Sequence, residues 1–403
     1  MRLAYLSVSA QLGGSEIVLL QLLSEIRRQR PAWETHLVAP ADGPLTRRAA
    51  AAGSTVHVVP MPAAVARLGE HRRGSVVGAA ARTALAVRSL WGYERRLGHA
   101  LGAIRPDVVH SNGLKAHVLS ARTAVAARRV WHVHDYVSPR PLTRRLLRRY
   151  ATTCDSCVAA SVSVGEDASR ALTGALRSPV QVIPNGIDVE RFTPEGPCAD
   201  LDRLAGLPPV APGTLRVGLV GTFARWKGHE IFLRALAQVP ATVALRGYIV
   251  GAPLYDTAGS QFSLQELRAI AREDGCGGRV AFTGFVEDVP AVMRALDVVV
   301  HASTSPEPFG LVVAEAMACG RPVISTALGG AAEVLEPGDT ALVYHAPDPA
   351  ALAAAIEELS ADAGLRCRLG TRGRSVAVAK HGAERYGRAF IDLYERLADA
   401  TAP

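Results

Sequence analysis

The chain has 403 residues, 49% of them apolar and 20% charged, with a formal net charge of +8. That length exceeds one ordinary hydrophobic core and predicts two domains, while the composition excludes a disordered or collagen-like chain. The charge is lopsided: residues 1–150 hold 23 Lys+Arg against 8 Asp+Glu, and the remainder holds 22 against 29.

The opening MRLAYLSVSAQLGGSE passes from a short apolar stretch into a glycine turn, so it reads as a first strand and not a leader. Strand-like runs follow at 34–40, 55–61, 107–111, 130–135, 157–162 and 180–184, after the first at 3–9. Helical stretches separate them, among them SEIVLLQLLSEIRR and the run around 78–104. Short β-rich runs alternating with longer helical ones predict βαβ units and a parallel sheet. Prolines at 194, 197, 208, 209 and 212 then mark 191–213 as a linker. Alternation resumes with strands at 215–221, 243–251, 280–285, 297–303, 322–326 and 341–345, and helices opening near Lys227, Phe262, Val289, Leu311 and Asp348. The predicted fold class is α/β: two doubly wound parallel-sheet, Rossmann-like domains at 1–190 and 214–381, with a ligand cleft at the carboxyl ends of their strands. A last helix, within 382–403, is expected to pack back on the first domain.

Six cysteines stand at 154, 157, 198, 276, 319 and 367, and no second pair or nearby histidine completes the CxxC at 154–157 as a metal site. Reduced thiols and a cytoplasmic location follow as expectations. No apolar run approaches the ~20 residues of a bilayer span. The basic first half calls for an anionic partner, either a phosphorylated or lipid-linked acceptor or an anionic membrane surface, or else is only a solvated face in an arginine-rich chain. Nucleic acid is not expected, since no basic stretch is interleaved with aromatics. The stretch PLTRRLLRRY, 141–150, reads as a basic helix with two readings: it rests on anionic lipid, or its apolar residues Leu142, Leu146, Leu147 and Tyr150 dock onto their own domain, which is the one expected.

Candidate chemistry gathers at strand ends. In EPFGLVVAEAMACG, Glu307 precedes a proline and belongs to a loop, while Glu315 falls early in a helix opening near Leu311. Two carboxylates looking into one cleft suit a polyhydroxylated ligand. In GTFARWKGHE, Arg225 and Lys227 at a helix start form a cradle for a diphosphate. Lys227 is one of only three lysines, so its compact ammonium is informative where arginine is the default cation. In VWHVHDY, alternation puts His132 and His134 on one face, with His134 placed to bond a sugar hydroxyl. In VVHSNGLKAH, the residues His110, Asn112 and Lys115 suggest an acceptor pocket. In GGSE, the glycines at 13 and 14 allow close backbone approach to an anion, or Glu16 merely serves the helix dipole.

Taken together, SPEPFGLVVAEAMACGRPVIST with its Glu307-x7-Glu315 spacing, GGSE, VIPNGID, WKGHE and FTGFV resemble glycosyltransferase family 4, the retaining GT-B enzymes that use nucleotide sugars. The resemblance implies that Glu307 holds hydroxyls of the donor sugar and Glu315 the ribose. It gives Phe309, Gly310 and Leu311 backbone contacts to sugar and phosphates, Lys227 and Gly14 the diphosphate, Phe285 the base, and His134 the neighbourhood of the reacting centre. It further implies a UDP-sugar donor, a hydroxyl acceptor, a front-face reaction without an enzyme nucleophile, and no metal or other cofactor. Where many relatives carry an arginine, this chain has Thr222; Arg225, three residues later, is a candidate replacement, a point the sequence leaves open. The alternatives are a nucleotide-sugar epimerase on the same fold and a catalytically silent sugar-nucleotide or membrane-docking module.

Overall fold

A computed structural model describes residues 1–66, 79–254, 259–345 and 347–399, with backbone alone over 79–87. The chain divides into two compact units, 1–186 together with the stretch from 383 onward, and 187–382.

In the first unit the order is β1 (Arg2–Ser7), α1 (Gly14–Gln29), β2 (Glu34–Ala39), α2 (Pro44–Ala51), β3 (Thr55–Val58), α3 (Ala63–Ala66), α4 (Ala79–Ile104), β4 (Val108–Asn112), α5 (Leu114–Ala121), β5 (Arg128–Val133), α6 (Pro141–Tyr150), β6 (Ser156–Ala159), α7 (Val162–Ala171) and β7 (Gln181–Val182). The seven strands pair in parallel in the order β3-β2-β1-β4-β5-β6-β7. Strands such as LAYLS and VVHSN are buried on both faces, as a sheet covered by helices on each side requires. The expected strands are all present, and residue 78 of the long helical run lies outside the described residues.

The second unit runs α8 (Leu201–Leu204), β8 (Leu215–Val220), α9 (His229–Gln238), β9 (Leu245–Val250), α10 (Leu264–Glu273), β10 (Val280–Gly284), α11 (Val289–Ala295), β11 (Val298–His301), α12 (Leu311–Ala318), β12 (Val323–Ser325), α13 (Ala331–Val334), β13 (Ala341–Val343), α14 (Pro349–Ala361) and α15 (Ala363–His381). Its parallel sheet has the order β10-β9-β8-β11-β12-β13. In each sheet the strand order reverses once, beside β1/β4 and beside β8/β11. Ligands of open α/β sheets bind at such switch points, past the carboxyl ends of the strands.

The proline-rich segment read as a linker packs onto the second unit: Phe192 and Leu201 are buried in its core. Asp202 accepts hydrogen bonds there from Arg246 (2.6 Å) and the Tyr248 hydroxyl (2.7 Å). The last helix, α16 (Ala383–Asp399), belongs to the first unit, where Tyr386, Phe390 and Tyr394 are buried. Gly387 lets it close on α1, because a Cβ there would stand 2.4 Å from the Glu25 Cβ. Among the described residues, no helix is long and apolar enough to cross a membrane. All six cysteines are free thiols.

Candidate functional site

The second unit builds its site where β8 and β11 end. After β8 the chain makes a 3₁₀ turn, Arg225–Lys227, that closes on Gly228 at φ +77°. A Cβ on Gly228 would lie 1.8 Å from the Ala302 carbonyl oxygen, so only glycine lets this turn press against the exit of β11. The Thr304 amide donates to the Trp226 carbonyl (2.8 Å) and completes the closure.

Lys227 Nζ thereby stands 2.5 Å from Glu307 Oε1. The main chain of Glu307 is held from both sides: its amide donates to the Leu328 carbonyl (3.1 Å), and its carbonyl accepts from the Gly330 amide (2.7 Å). Oε1 also accepts from Ser303 Oγ (2.7 Å) and His301 Nε2 (3.0 Å). The surrounding bonds assign the Nε2–H tautomer to His301. Ser325 Oγ accepts from the Ala327 amide (3.0 Å), so its own proton turns to His301 Nδ1 (3.0 Å). Burial by itself would raise the pKa of Glu307, but Lys227 and then His301 outweigh it and hold the carboxyl well below the usual carboxylate range.

Glu315, in the second turn of α12, is the opposite case. Burial pushes its carboxyl up to about 8 against the pull of Arg191 and Lys227. Among the described residues its side chain makes no hydrogen bond or ion pair. One carboxylate of the motif is thus fixed and ionised, and the other is buried, neutral near pH 7 and without a partner.

Between them, Phe309 is buried against His381, with ring centroids 5.6 Å apart, so only its backbone is left for a ligand. Gly310 caps α12 at φ +90°, and the first amides of that helix, Leu311 included, have no intrahelical acceptor. A Cβ on Gly330 would meet the Pro308 carbonyl oxygen at 2.2 Å, which shows how closely the 308–310 turn is backed. Glycines also lace the neighbouring strand ends: the Gly221 amide donates to the Val250 carbonyl and the Gly251 amide to the Gly284 carbonyl. Phe285 follows Gly284 with 74% of its surface exposed.

Arg225 does not join this group. Its guanidinium donates to Glu266 Oε1 (2.7 Å) and the Gly259 carbonyl (3.1 Å) and lies 4.2 Å from the centroid of Phe262. In this structure it ties the turn to the 259–266 segment. Lys227 instead has Trp226 beside it, 4.5 Å from the ring centroid.

In the first unit, β1, β4 and β5 end together. His134 Nε2 donates to Asn112 Oδ1 (2.7 Å), and Asn112 Nδ2 donates to the Ser15 carbonyl (3.3 Å). The lone pair on His134 Nδ1 is buried and unpartnered among the described residues. Burial lowers the pKa of this histidine to about 3, so it is a neutral acceptor at physiological pH. His132 and His134 share a face as predicted, their ring centroids 3.8 Å apart. Gly14 opens α1, and Glu16 accepts from the Gly13 amide (3.2 Å), so Glu16 acts as a helix cap.

The acceptor-pocket trio does not hold together. His110 is fully buried, with Nδ1 2.6 Å from the Tyr394 hydroxyl and its ring against Phe390, both on α16. Lys115 donates to the Ala66 carbonyl. Only Asn112 is brought to His134. Sequence reasoning passed over His301, Ser303 and Ser325, which orient Glu307. The signal was a histidine and a serine ending the strand DVVVHAS directly ahead of that glutamate.

Residues 12–191 match the family model described as Glycosyltransferase Family 4, and residues 214–362 that of Glycosyl transferases group 1. Among curated proteins, a D-inositol 3-phosphate glycosyltransferase from Xylanimonas cellulosilytica is 34% identical over 60% of this chain and 56% of its own length. The lipopolysaccharide core biosynthesis glycosyltransferase LpsE of Rhizobium meliloti is 31% identical over 51% of this chain and 56% of its own. The chain thus spans little more than half the length of these relatives. Among solved structures, HepE from Anabaena in complex with UDP-glucose superposes with a TM-score of 0.79 at 25% identity, covering 98% of this chain and 100% of that one. Sucrose-phosphate synthase from Thermosynechococcus elongatus gives 0.77 at 22% identity, over 99% and 100%, and shows the same GT-B fold. With two successive family domains on a matching fold, this chain belongs to glycosyltransferase family 4.

Proposed function

We propose that the chain transfers a hexosyl-type residue from a UDP-sugar to a hydroxyl acceptor with retention at the anomeric carbon. The observation that carries this reading is the buried contact between Lys227 and Glu307 at a strand switch point, at the head of α12. HepE, a relative of the same fold, binds UDP-glucose, which favours uracil as the base.

Cleaving the anomeric bond leaves negative charge on the diphosphate and positive charge on the sugar. Lys227 and the first amides of α12 stabilise the leaving group, and they do so preferentially as charge develops. Glu307 grips sugar hydroxyls. Three donors already occupy its Oε1, which makes it a poor nucleophile and fits a reaction in which the acceptor itself attacks. Glu315 takes the ribose hydroxyls and Phe285 contacts the base through its backbone. In the first unit, Gly14 at the head of α1 suits an anionic group, and the buried His134 Nδ1 lone pair suits a hydroxyl.

Because Lys227 supplies the charge at the leaving group, turnover is expected to persist in excess EDTA. The check is UDP release from a panel of UDP-sugars with candidate acceptors. Complete loss in EDTA, restored by Mg²⁺ or Mn²⁺, contradicts this part of the reading. The silent-module alternative draws on one observation, the engagement of Arg225 by Glu266, and predicts nucleotide binding without turnover for any sugar.

A further inference from the structure

Exposed apolar side chains say little where nothing shows what covers them. On α6 only Leu147 of the four residues expected to dock is buried, and Leu142 (63%) and Leu146 (40%) stand exposed. Trp226 is different, because its ring has a partner. It is 37% exposed, too open for a residue that serves packing, and its indole N–H makes no hydrogen bond among the described residues. The ring centroid lies instead 4.5 Å from Lys227 Nζ, well inside the ~6 Å over which an aromatic face attracts a cation. The main chain that carries the ring is pinned: the Trp226 carbonyl accepts from the Thr304 amide (2.8 Å) and from the Thr304 hydroxyl (3.3 Å). Arg225, on the other side of Trp226 in the chain, is drawn off to Glu266 and the Phe262 ring, which leaves the indole to Lys227.

A lysine reaches its target through a flexible four-carbon stem, and its ammonium carries three N–H donors. One of them meets Glu307 Oε1 at 2.5 Å. That contact sets how far Nζ stands from Glu307, but not which way its other donors face. A ring face on a second side supplies the missing direction and keeps water from that side of the charge. We propose that Trp226 is a positioning residue for the leaving diphosphate: its indole face holds the Lys227 ammonium so that the side left open meets the phosphates. The inference rests on the role proposed above for Lys227.

The test is titration calorimetry of the full chain with UDP and with uridine, which lacks the diphosphate. Trp226→Leu should weaken UDP by about tenfold and Trp226→Phe by about threefold, tryptophan being the strongest of the aromatic partners, while uridine binds as it does to the wild type. Mono-, di- and trifluorinated tryptophans withdraw electron density from the ring face at nearly constant shape, so protein grown on them should lose UDP affinity stepwise. The same series in Trp226→Phe protein, where fluorine falls only on Trp33, Trp91 and Trp131, should be flat. If Lys227→Ala weakens UDP while Trp226→Leu binds it as tightly as the wild type, this inference fails and the role of Lys227 stands. Affinity blind to fluorination, or equal loss of UDP and uridine, marks a ring that only packs and also overturns the inference. A wild type that binds no UDP overturns the reading of Lys227 and this inference with it.

Discussion

Replacing Lys227 with alanine is expected to lower kcat/KM for the UDP-sugar by about 10³-fold. Loss of a single donor to a developing anion ordinarily costs about 10²–10³-fold, and a full charge belongs at the upper end. Arg225, the other cation of this turn, is bound to Glu266. The substitution also removes the largest favourable influence on the buried Glu307 carboxylate. Breaking a buried ion pair costs about 3–5 kcal/mol, and the lower end applies because His301 and Ser303 still donate to Oε1. Steady-state kinetics with a thermal melt therefore separates the two effects. Wild-type activity in a destabilised Lys227→Ala protein would remove Lys227 from the mechanism and leave it a purely structural partner.

Glu315→Gln should stabilise the ligand-free protein at alkaline pH while weakening nucleotide binding. The ordinary pKa of 4.5 is raised to about 8 in the folded state, with burial the first cause. Between those two values the unfolded chain has released its proton and the native chain retains it. Stability therefore falls as pH rises through that window, and the loss is complete above about 8. Glutamine does not titrate, so its advantage should be on the order of 5 kcal/mol at pH 9, shrink as pH is lowered, and vanish below about pH 4.5. That corresponds to several degrees in the melting of the second unit. A neutral, unpartnered carboxyl is costly to keep in a core, and ribose hydroxyls give it a reason to be there. A variant that is less stable at pH 9, or one whose nucleotide affinity is unchanged, would contradict the assignment.

Much of the fold was legible because strands buried on both faces leave apolar, β-branched runs bounded by glycine and proline. Helix α15 was not separated from its surroundings, since AGLRCRLGTRGRSVAVAKH spreads arginines around every face. Its Gly370 and Gly373 are explained only by three-dimensional contacts, with a Cβ at 370 meeting the Gly320 carbonyl oxygen at 2.2 Å and one at 373 meeting Met317 at 3.3 Å. The proline-rich 191–213 segment resembled a tether because its anchors, Phe192 and Leu201, are single residues among turn formers. In the site, Glu307 and Lys227 could be read from their unusual chemistry at strand ends. The commitments of Arg225 and His110 could not, because each depends on a distant partner: Glu266 lies 41 positions away and Tyr394 lies 284. Glu315 could be named from the sequence, but its protonation follows from burial that only the packed helix creates.

The most direct test is the thermal stability of the wild-type chain with saturating UDP, GDP or ADP. A nucleotide at 100 times its Kd adds about 2.7 kcal/mol to the folded state. The account predicts a rise of several degrees with UDP, reduced in Glu315→Gln and Lys227→Ala. No rise with any of the three, in protein that melts cooperatively, would contradict a nucleotide-sugar site at Lys227, Glu307 and Glu315.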